Sequence, residues 1–203
     1  MINKGKKIIS IALSTIIIVG GSGTYAAGFK DVASNYWAKS YIDRGSKLGL
    51  FKGYDDGTFK PLNNIYRVEV ISLVSRVLSL SESEVNSLEA KYLDTLIKNN
   101  VPDWAFGDFA VALAKGILDE KTLTPQFLYN KSNTYDVTTR EEMCIYLVRA
   151  MGLESEAKGI KTIKLGFKDT DKINKDIRAY VQVLVSKGVI SGNDKNEFKP
   201  TDP

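Results

Sequence analysis

Gly53-Tyr54-Asp55-Asp56-Gly57-Thr58-Phe59-Lys60-Pro61 aligns without a gap to Gly192-Asn193-Asp194-Lys195-Asn196-Glu197-Phe198-Lys199-Pro200. A loop that recurs in this way marks internal duplication, the signature of a repeat architecture. Working outward, Phe29-Lys30-Asp31-Val32 reappears as Tyr92-Leu93-Asp94-Thr95 and again as Phe167-Lys168-Asp169-Thr170. Trp37-Ala38 matches Trp104-Ala105, each tryptophan standing twelve residues before a glycine, Gly49 or Gly116. The same offset from Gly188 lands on Asp176 and Ile177, so the third unit has no tryptophan there, although Tyr41-Ile42 returns as Tyr180-Val181. The second unit replaces the loop with a longer, divergent stretch from Asp119 to Val137, in which Phe127 is the expected apolar plug.

Each complete unit continues with an Arg-x-Glu step, Arg67-Val68-Glu69 and Arg140-Glu141-Glu142. Beyond each step the apolar residues recur at helical spacing, as in Val70, Leu73, Val74 and Val77, which predicts a second helix per unit. The first helix is expected from about Trp37 to Leu48, with Gly49 supplying the positive φ that helix C-termini commonly use. Asp55 to Gly57 reads as a turn, after which Phe59 and Pro61 return the chain toward the core. Thr139-x-x-Glu142 has the form of a capping box. Tyr66 stands where the first unit needs a hydroxyl, so that cap is expected to be weaker by about 1 kcal/mol. Ser81 to Ala90, opening Ser81-x-x-Glu84, reads as a short linking helix, and Glu154 to Lys164 as a looser linker.

The chain has 203 residues, 43% hydrophobic and 26% charged, enough for a packed core and unlike a disordered or fibrous polymer. The N-terminal segment stands apart. Lys4, Lys6 and Lys7 precede an uncharged apolar run from Ile8 to Val19, shorter than the roughly 20 residues that span a bilayer, and Thr24-Tyr25-Ala26 carries small residues at the positions a signal peptidase inspects. Residues 1–26 are therefore expected to be a cleaved signal peptide, leaving a secreted chain with no membrane attachment. Without those lysines the formal charge falls from +4 to +1, which removes the basic surplus a nucleic-acid binder needs.

Histidine is absent, which excludes Ser/His/Asp and Cys/His catalysis and histidine-containing zinc sites. The single cysteine, Cys144, lies in an apolar helical run and reads as a small buried hydrophobe. Asp55-Asp56-Gly57 lacks the further ligands of a calcium loop and reads as a plain turn. No metal or other cofactor is expected.

With those motifs in hand, the unit resembles the S-layer homology module of bacterial cell-surface proteins. That pattern has an opening Phe-x-Asp, a Trp-Ala helix, a Gly-Tyr-x-Asp-Gly-Thr-Phe-x-Pro loop and a Thr-Arg-Ala-Glu step. Here Ile65-Tyr66-Arg67-Val68-Glu69 departs from it at Thr and Ala. The resemblance implies a mainly α fold of tandem helix-loop-helix modules packed as a pseudo-threefold helical bundle. The expected organisation is module one at 27–80, a linker helix at 81–91, module two at 92–153, a linker at 154–166 and a third, truncated module at 167–203. It also implies a location in the bacterial cell wall or S-layer. There the expected job is noncovalent anchoring to a secondary cell-wall polymer, a pyruvylated carbohydrate linked to peptidoglycan, and not catalysis.

The candidate polymer-binding set is Arg67, Arg140, Trp37, Trp104, Gly53, Asp55, Gly57, Glu69 and Glu142. Arg67 and Arg140 open helices, where a guanidinium and free N–H groups favour an anion such as a ketal-linked pyruvate. Trp37 and Trp104 have two readings, packing residues at the start of amphipathic helices or apolar platforms for a sugar ring. Glu69 and Glu142 read first as caps, while Gly53 and Gly57 allow close backbone approach. A surface protein-interaction module is the alternative function, and a two-carboxylate wall hydrolase a further one. The sequence stops at Thr201-Asp202-Pro203, shortly before a third Arg-x-Glu step is expected, which favours a fragment of a longer protein. An incomplete third module is expected to leave apolar surface uncovered and to promote self-association.

Overall fold

The computed structural model describes residues 28–203, so the expected signal peptide lies outside the described residues. The fold is mainly helical. Its helices are α1 (Lys39–Lys47), α2 (Arg67–Arg76), α3 (Glu82–Lys98), α4 (Phe106–Ala114), α5 (Pro125–Leu128), α6 (Arg140–Ala150), α7 (Glu154–Gly159) and α8 (Arg178–Ser186). Among the described residues, extended pairing is limited to the isolated bridges Tyr66 to Val137 and Tyr129 to Tyr135. The chain forms two compact units, one up to Asn64 and the other from Ile65 to Pro203, so the division falls inside the first repeat.

In the smaller unit, α1 buries Ile42 and Gly45. The absent side chain of Gly45 makes room for Phe51, whose ring would lie 2.3 Å from an added Cβ. Phe51 and Phe29 both pack on Phe59, with ring centroids 5.3 and 5.2 Å away. Gly49, Gly116 and Gly188 adopt positive φ of 72°, 69° and 69° after α1, α4 and α8, as their spacing predicts. In each case the next residue donates its N–H back into the last turn, Leu50 to Gly45, Ile117 to Ala112 and Val189 to Leu184.

In the larger unit two apolar clusters share α6. Tyr146 joins Val68, Ile71, Leu96, Phe109 and Leu128 in one, while Cys144 and Val148 join Ile173, Val181, Leu184 and Phe198 in the other. A helix apolar on two sides has to be covered on two sides. α2 covers one side of α6 and α8 the other, while α4 packs on both α2 and α3. Burying a side chain such as Phe109 or Leu184 contributes about 1.5–3 kcal/mol. Cys144 is fully buried and unoxidised, and burial pushes its thiol pKa up to about 12, so it behaves as the hydrophobe its surroundings predict.

One element is longer than expected. The helix opened by Ser81, whose hydroxyl accepts from the Glu84 N–H, runs through Ala90 to Lys98. Tyr92-Leu93-Asp94-Thr95 therefore lies inside α3 and not in a loop, and the module boundary drawn at 91/92 falls within a continuous helix. The physical reason is that nothing between Ser81 and Lys98 breaks a helix, neither Gly nor Pro occurring there.

Candidate functional site

The recurring Phe-x-Asp opening has a role that neither charge nor spacing disclosed. Asp31 accepts the backbone N–H groups of Phe59 and Lys60 at 2.8 and 2.7 Å, and Asp169 accepts those of Phe198 and Lys199 at 2.7 and 2.8 Å. Each aspartate thus clamps the end of its own unit's loop. The N–H groups of Phe59 and Lys60 hold the Asp31 carboxyl below the usual carboxylate range. Burial alone would push Asp169 up, but the Phe198 and Lys199 N–H groups and nearby Lys172 outweigh it and leave that carboxyl lowered too. The signal was present in sequence as the co-occurrence of Phe-x-Asp with Phe-Lys-Pro, in units one and three and not in unit two.

Arg67 and Arg140 open α2 and α6, as expected, and each is seated on the loop of the following repeat. The Arg140 N–H donates to the Asp202 carbonyl at 2.8 Å, the Glu141 N–H to Pro200 at 3.0 Å, and Arg140 Nη2 to the Ser191 carbonyl at 2.6 Å. Its guanidinium stacks 5.1 Å from the Phe198 ring. The Arg67 N–H likewise donates to the Asp136 carbonyl at 2.8 Å, and its guanidinium lies 4.9 Å from the Phe127 ring while Nη1 donates to the Phe127 carbonyl. Phe127 is therefore the plug expected of the divergent loop.

The two seats differ in charge. Arg67, 8% exposed, also pairs with Asp136 at 2.9 Å and with Glu142 at 3.0 Å. Burial would lower its pKa, but those two carboxylates raise it further, so the guanidinium stays charged. Its carboxylate partners are internal, which sets Arg67 to lock α2 to the second loop and to α6. Arg140 is partly exposed, and its partners above are carbonyl oxygens and a ring.

Glu142 completes the α6 cap by accepting from the Thr139 N–H at 3.0 Å, while Thr139 Oγ1 accepts from the Glu142 N–H. In α2 Glu69 accepts from the Tyr66 N–H at 2.9 Å, but Tyr66 supplies no side-chain cap. Both glutamates thus act as caps in the structure. Trp37 and Trp104 are 56% and 54% exposed, Trp37 just ahead of α1 and Trp104 in a 3-10 turn ahead of α4. Each indole thus leaves just over half of its surface in solvent, and the Trp37 ring also lies 5.9 Å from that of Tyr36. Gly53, at φ +68°, makes room for the chain itself, since a Cβ there would lie 2.3 Å from the Phe29 ring and 2.8 Å from the Thr58 carbonyl. Asp55 is exposed, and Gly57, at φ +77°, packs against the Lys30 stem. No cluster of metal-ligating side chains and no helix long and apolar enough to cross a membrane occurs among the described residues.

The family model for the S-layer homology domain matches residues 28–71 and 166–203. Both segments carry the Asp-clamped loop. Two segments of this chain belong to the S-layer homology family. The chain is 25% identical over 210 residues, 99% of its length, to a surface-layer 125 kDa protein of Lysinibacillus sphaericus, of which it covers 16%. Over 40% of the chain it is 33% identical to a cellulosome-anchoring protein of Acetivibrio thermocellus, covering 17% of that protein. Over 95% of the chain it is 24% identical to an endoglucanase of a Bacillus species, covering 19%. The chain thus spans less than a fifth of the length of each of these relatives. The family match and these surface-layer and cellulosome-anchoring relatives give the chain a cell-surface or cell-wall location.

Proposed function

We propose that the chain binds a secondary cell-wall polymer, a pyruvylated carbohydrate linked to peptidoglycan, noncovalently and without catalysis. The observation that carries this reading is the pair Trp37 and Trp104, equivalent in the repeat and each more than half exposed. An indole left in solvent at the same place in two repeats offers an apolar face to a sugar ring. Partly exposed Arg140 is the guanidinium for the ligand's carboxylate, while buried Arg67 holds the surrounding frame. The exposed Gly53-Tyr54-Asp55 turn is the polar border in the first repeat. Weak contacts at separate repeats add up on a repeating polymer through effective concentration. The recurring acidic residues Asp31, Asp169, Glu69 and Glu142 accept internal hydrogen bonds, which supports a binding module over a two-carboxylate hydrolase.

The test is co-sedimentation of the protein with purified wall sacculi, before and after hydrofluoric acid strips the polymer. Retention is expected on intact sacculi and not on stripped ones. Trp37→Ala with Trp104→Ala should lower it at least tenfold and Arg140→Ala by less. Undiminished sedimentation of the double tryptophan variant, or equal sedimentation with stripped sacculi, overturns the reading and points to a protein partner.

A further inference from the structure

The divergent stretch of the second repeat folds against the start of α2 as three short extended segments. The Asp136 N–H donates to the Leu128 carbonyl at 2.8 Å and the Asn130 N–H to Thr134 at 2.9 Å, while the Arg67 N–H donates to Asp136 at 2.8 Å and the Thr138 N–H to Ile65 at 3.1 Å. Tyr129 thereby bridges to Tyr135, and Tyr66 to Val137. Side chains that are opposite or diagonal on one face of such a pairing come within reach of one another. The Tyr129 and Tyr135 rings stack with centroids 5.1 Å apart at 28°, and the Tyr66 ring follows at 5.9 Å from Tyr135. Three tyrosines thus form a row, its far end fixed by the Tyr129 hydroxyl, which donates to the Asn100 carbonyl at 3.0 Å.

Tyr66 is 37% exposed, and Tyr129 and Tyr135 are partly exposed. Tyr66 holds the N-cap position of α2 yet supplies no side-chain cap, whereas Thr139 caps α6 in the equivalent place. A large, partly open ring stands where a small hydroxyl would serve the helix better. The turn from Tyr129 to Tyr135 is Asn130-Lys131-Ser132-Asn133-Thr134, exposed throughout and carrying one cation and no anion. Beyond it, Asp136 is committed to Arg67. The N–H groups of Arg67, Asn130, Asp136 and Thr138 are spent across the three segments and that of Tyr129 on Pro125, which leaves an added peptide strand few partners. A row one ring wide, bordered by amides, hydroxyls and a single ammonium, suits the face of a sugar ring.

We infer that Tyr66, Tyr135 and Tyr129 are a stacking platform for successive rings of an acidic glycan, and that Lys131 meets a carboxylate on it. The inference rests on the wall-polymer reading and adds a second site to it, whose Tyr129 and Tyr135 lie outside the segments that the family model matches. The apolar faces of the sugar rings lie on the tyrosines, and their hydroxyls meet the polar side chains from Asn130 to Thr134. Lys131 supplies the charge-assisted bond that favours an acidic strand over a neutral one.

The probe is the polymer released from wall sacculi by hydrofluoric acid, titrated into the full chain by isothermal calorimetry. Tyr66→Thr is the decisive variant, because it gives Glu69 the hydroxyl partner of a capping box. It should raise the melting temperature and yet weaken binding about fivefold, the range of a lost aromatic contact. A loss of binding in a variant that melts higher does not come from unfolding. Tyr66→Phe should bind as the wild type does, and Tyr135→Leu should weaken binding. Lys131→Gln should weaken it about threefold at low salt and flatten its salt dependence. Wild-type affinity in Tyr66→Thr, an equal loss in Tyr66→Phe, or indifference to Lys131→Gln each overturns the inference. If Trp37→Ala with Trp104→Ala reduces binding but the tyrosine variants do not, the wall-polymer reading stands and the platform alone falls. No binding by the wild type overturns both.

Discussion

Arg67 and Arg140 occupy the same place in successive repeats and make the same main-chain bond to the next loop, yet their guanidinium groups meet opposite surroundings. The second loop brings the Asp136 carboxylate to Arg67, and Glu142 reaches it from α6. The third loop brings only carbonyl oxygen and the Phe198 ring to Arg140. The loop that diverged most in sequence is thus the one that converted a seat into an ion triad around a buried guanidinium. A shared motif fixes where an arginine stands, and the neighbouring loop decides whether it is spent internally or left partly in solvent.

The largest effect should come from Arg67→Ala. It removes two charge-assisted pairs from a buried guanidinium whose carboxylate partners remain partly in solvent, a loss of about 3 kcal/mol. Arg140→Ala removes one charged hydrogen bond in a more open place, about 1.5–3 kcal/mol. Urea unfolding followed by circular dichroism gives both numbers, and equal losses would dissolve the distinction between the seats.

Asp169→Asn should be smaller, about 1–2 kcal/mol, because an amide oxygen still accepts one of the two N–H groups. Its pH dependence has a definite sign. The folded carboxyl is lowered relative to the unfolded one, so its contribution is complete above the unfolded value near 4 and is lost as pH falls through the lower folded value. Acid titration of stability should therefore be shallower in Asp169→Asn than in the wild type. A steeper acid limb would contradict the clamp.

Thr139→Ala should cost about 1 kcal/mol through the lost cap on α6. The Tyr66 position of α2, which supplies no side-chain cap, should show no matching loss of a cap on replacement. Smallest of all is the thiol. Cys144, fully buried and with its pKa pushed up to about 12, should not react with Ellman's reagent at pH 8 until denaturant is added, and prompt labelling would mean that the α6–α8 core opens.

The recurring loops, the Gly49, Gly116 and Gly188 helix ends and the Thr139 cap were legible because each rests on local chemistry of a few adjacent residues. The first helices were legible only in part, since α1 begins at Lys39 and leaves Trp37 outside it. The linking helix was read too short because Tyr92-Leu93-Asp94-Thr95 resembles the other openings in sequence while no breaker separates it from Ser81. The site was the least legible part. Arg67 looked like an anion clamp, but its partners Asp136 and Glu142 lie 69 and 75 residues away, and only folding brings them together.

Because each Arg-led helix rests on the loop of the repeat that follows, the natural joint in the chain is not the gap between copies. The break between Asn64 and Ile65 falls between the first loop and its own second helix. Expression clones trimmed at the apparent repeat ends would leave Arg67 without Asp136, or Arg140 without Ser191. Cassettes meant for grafting onto other surface proteins should instead be cut one half-repeat out of phase, so that every arginine travels with the loop beneath it.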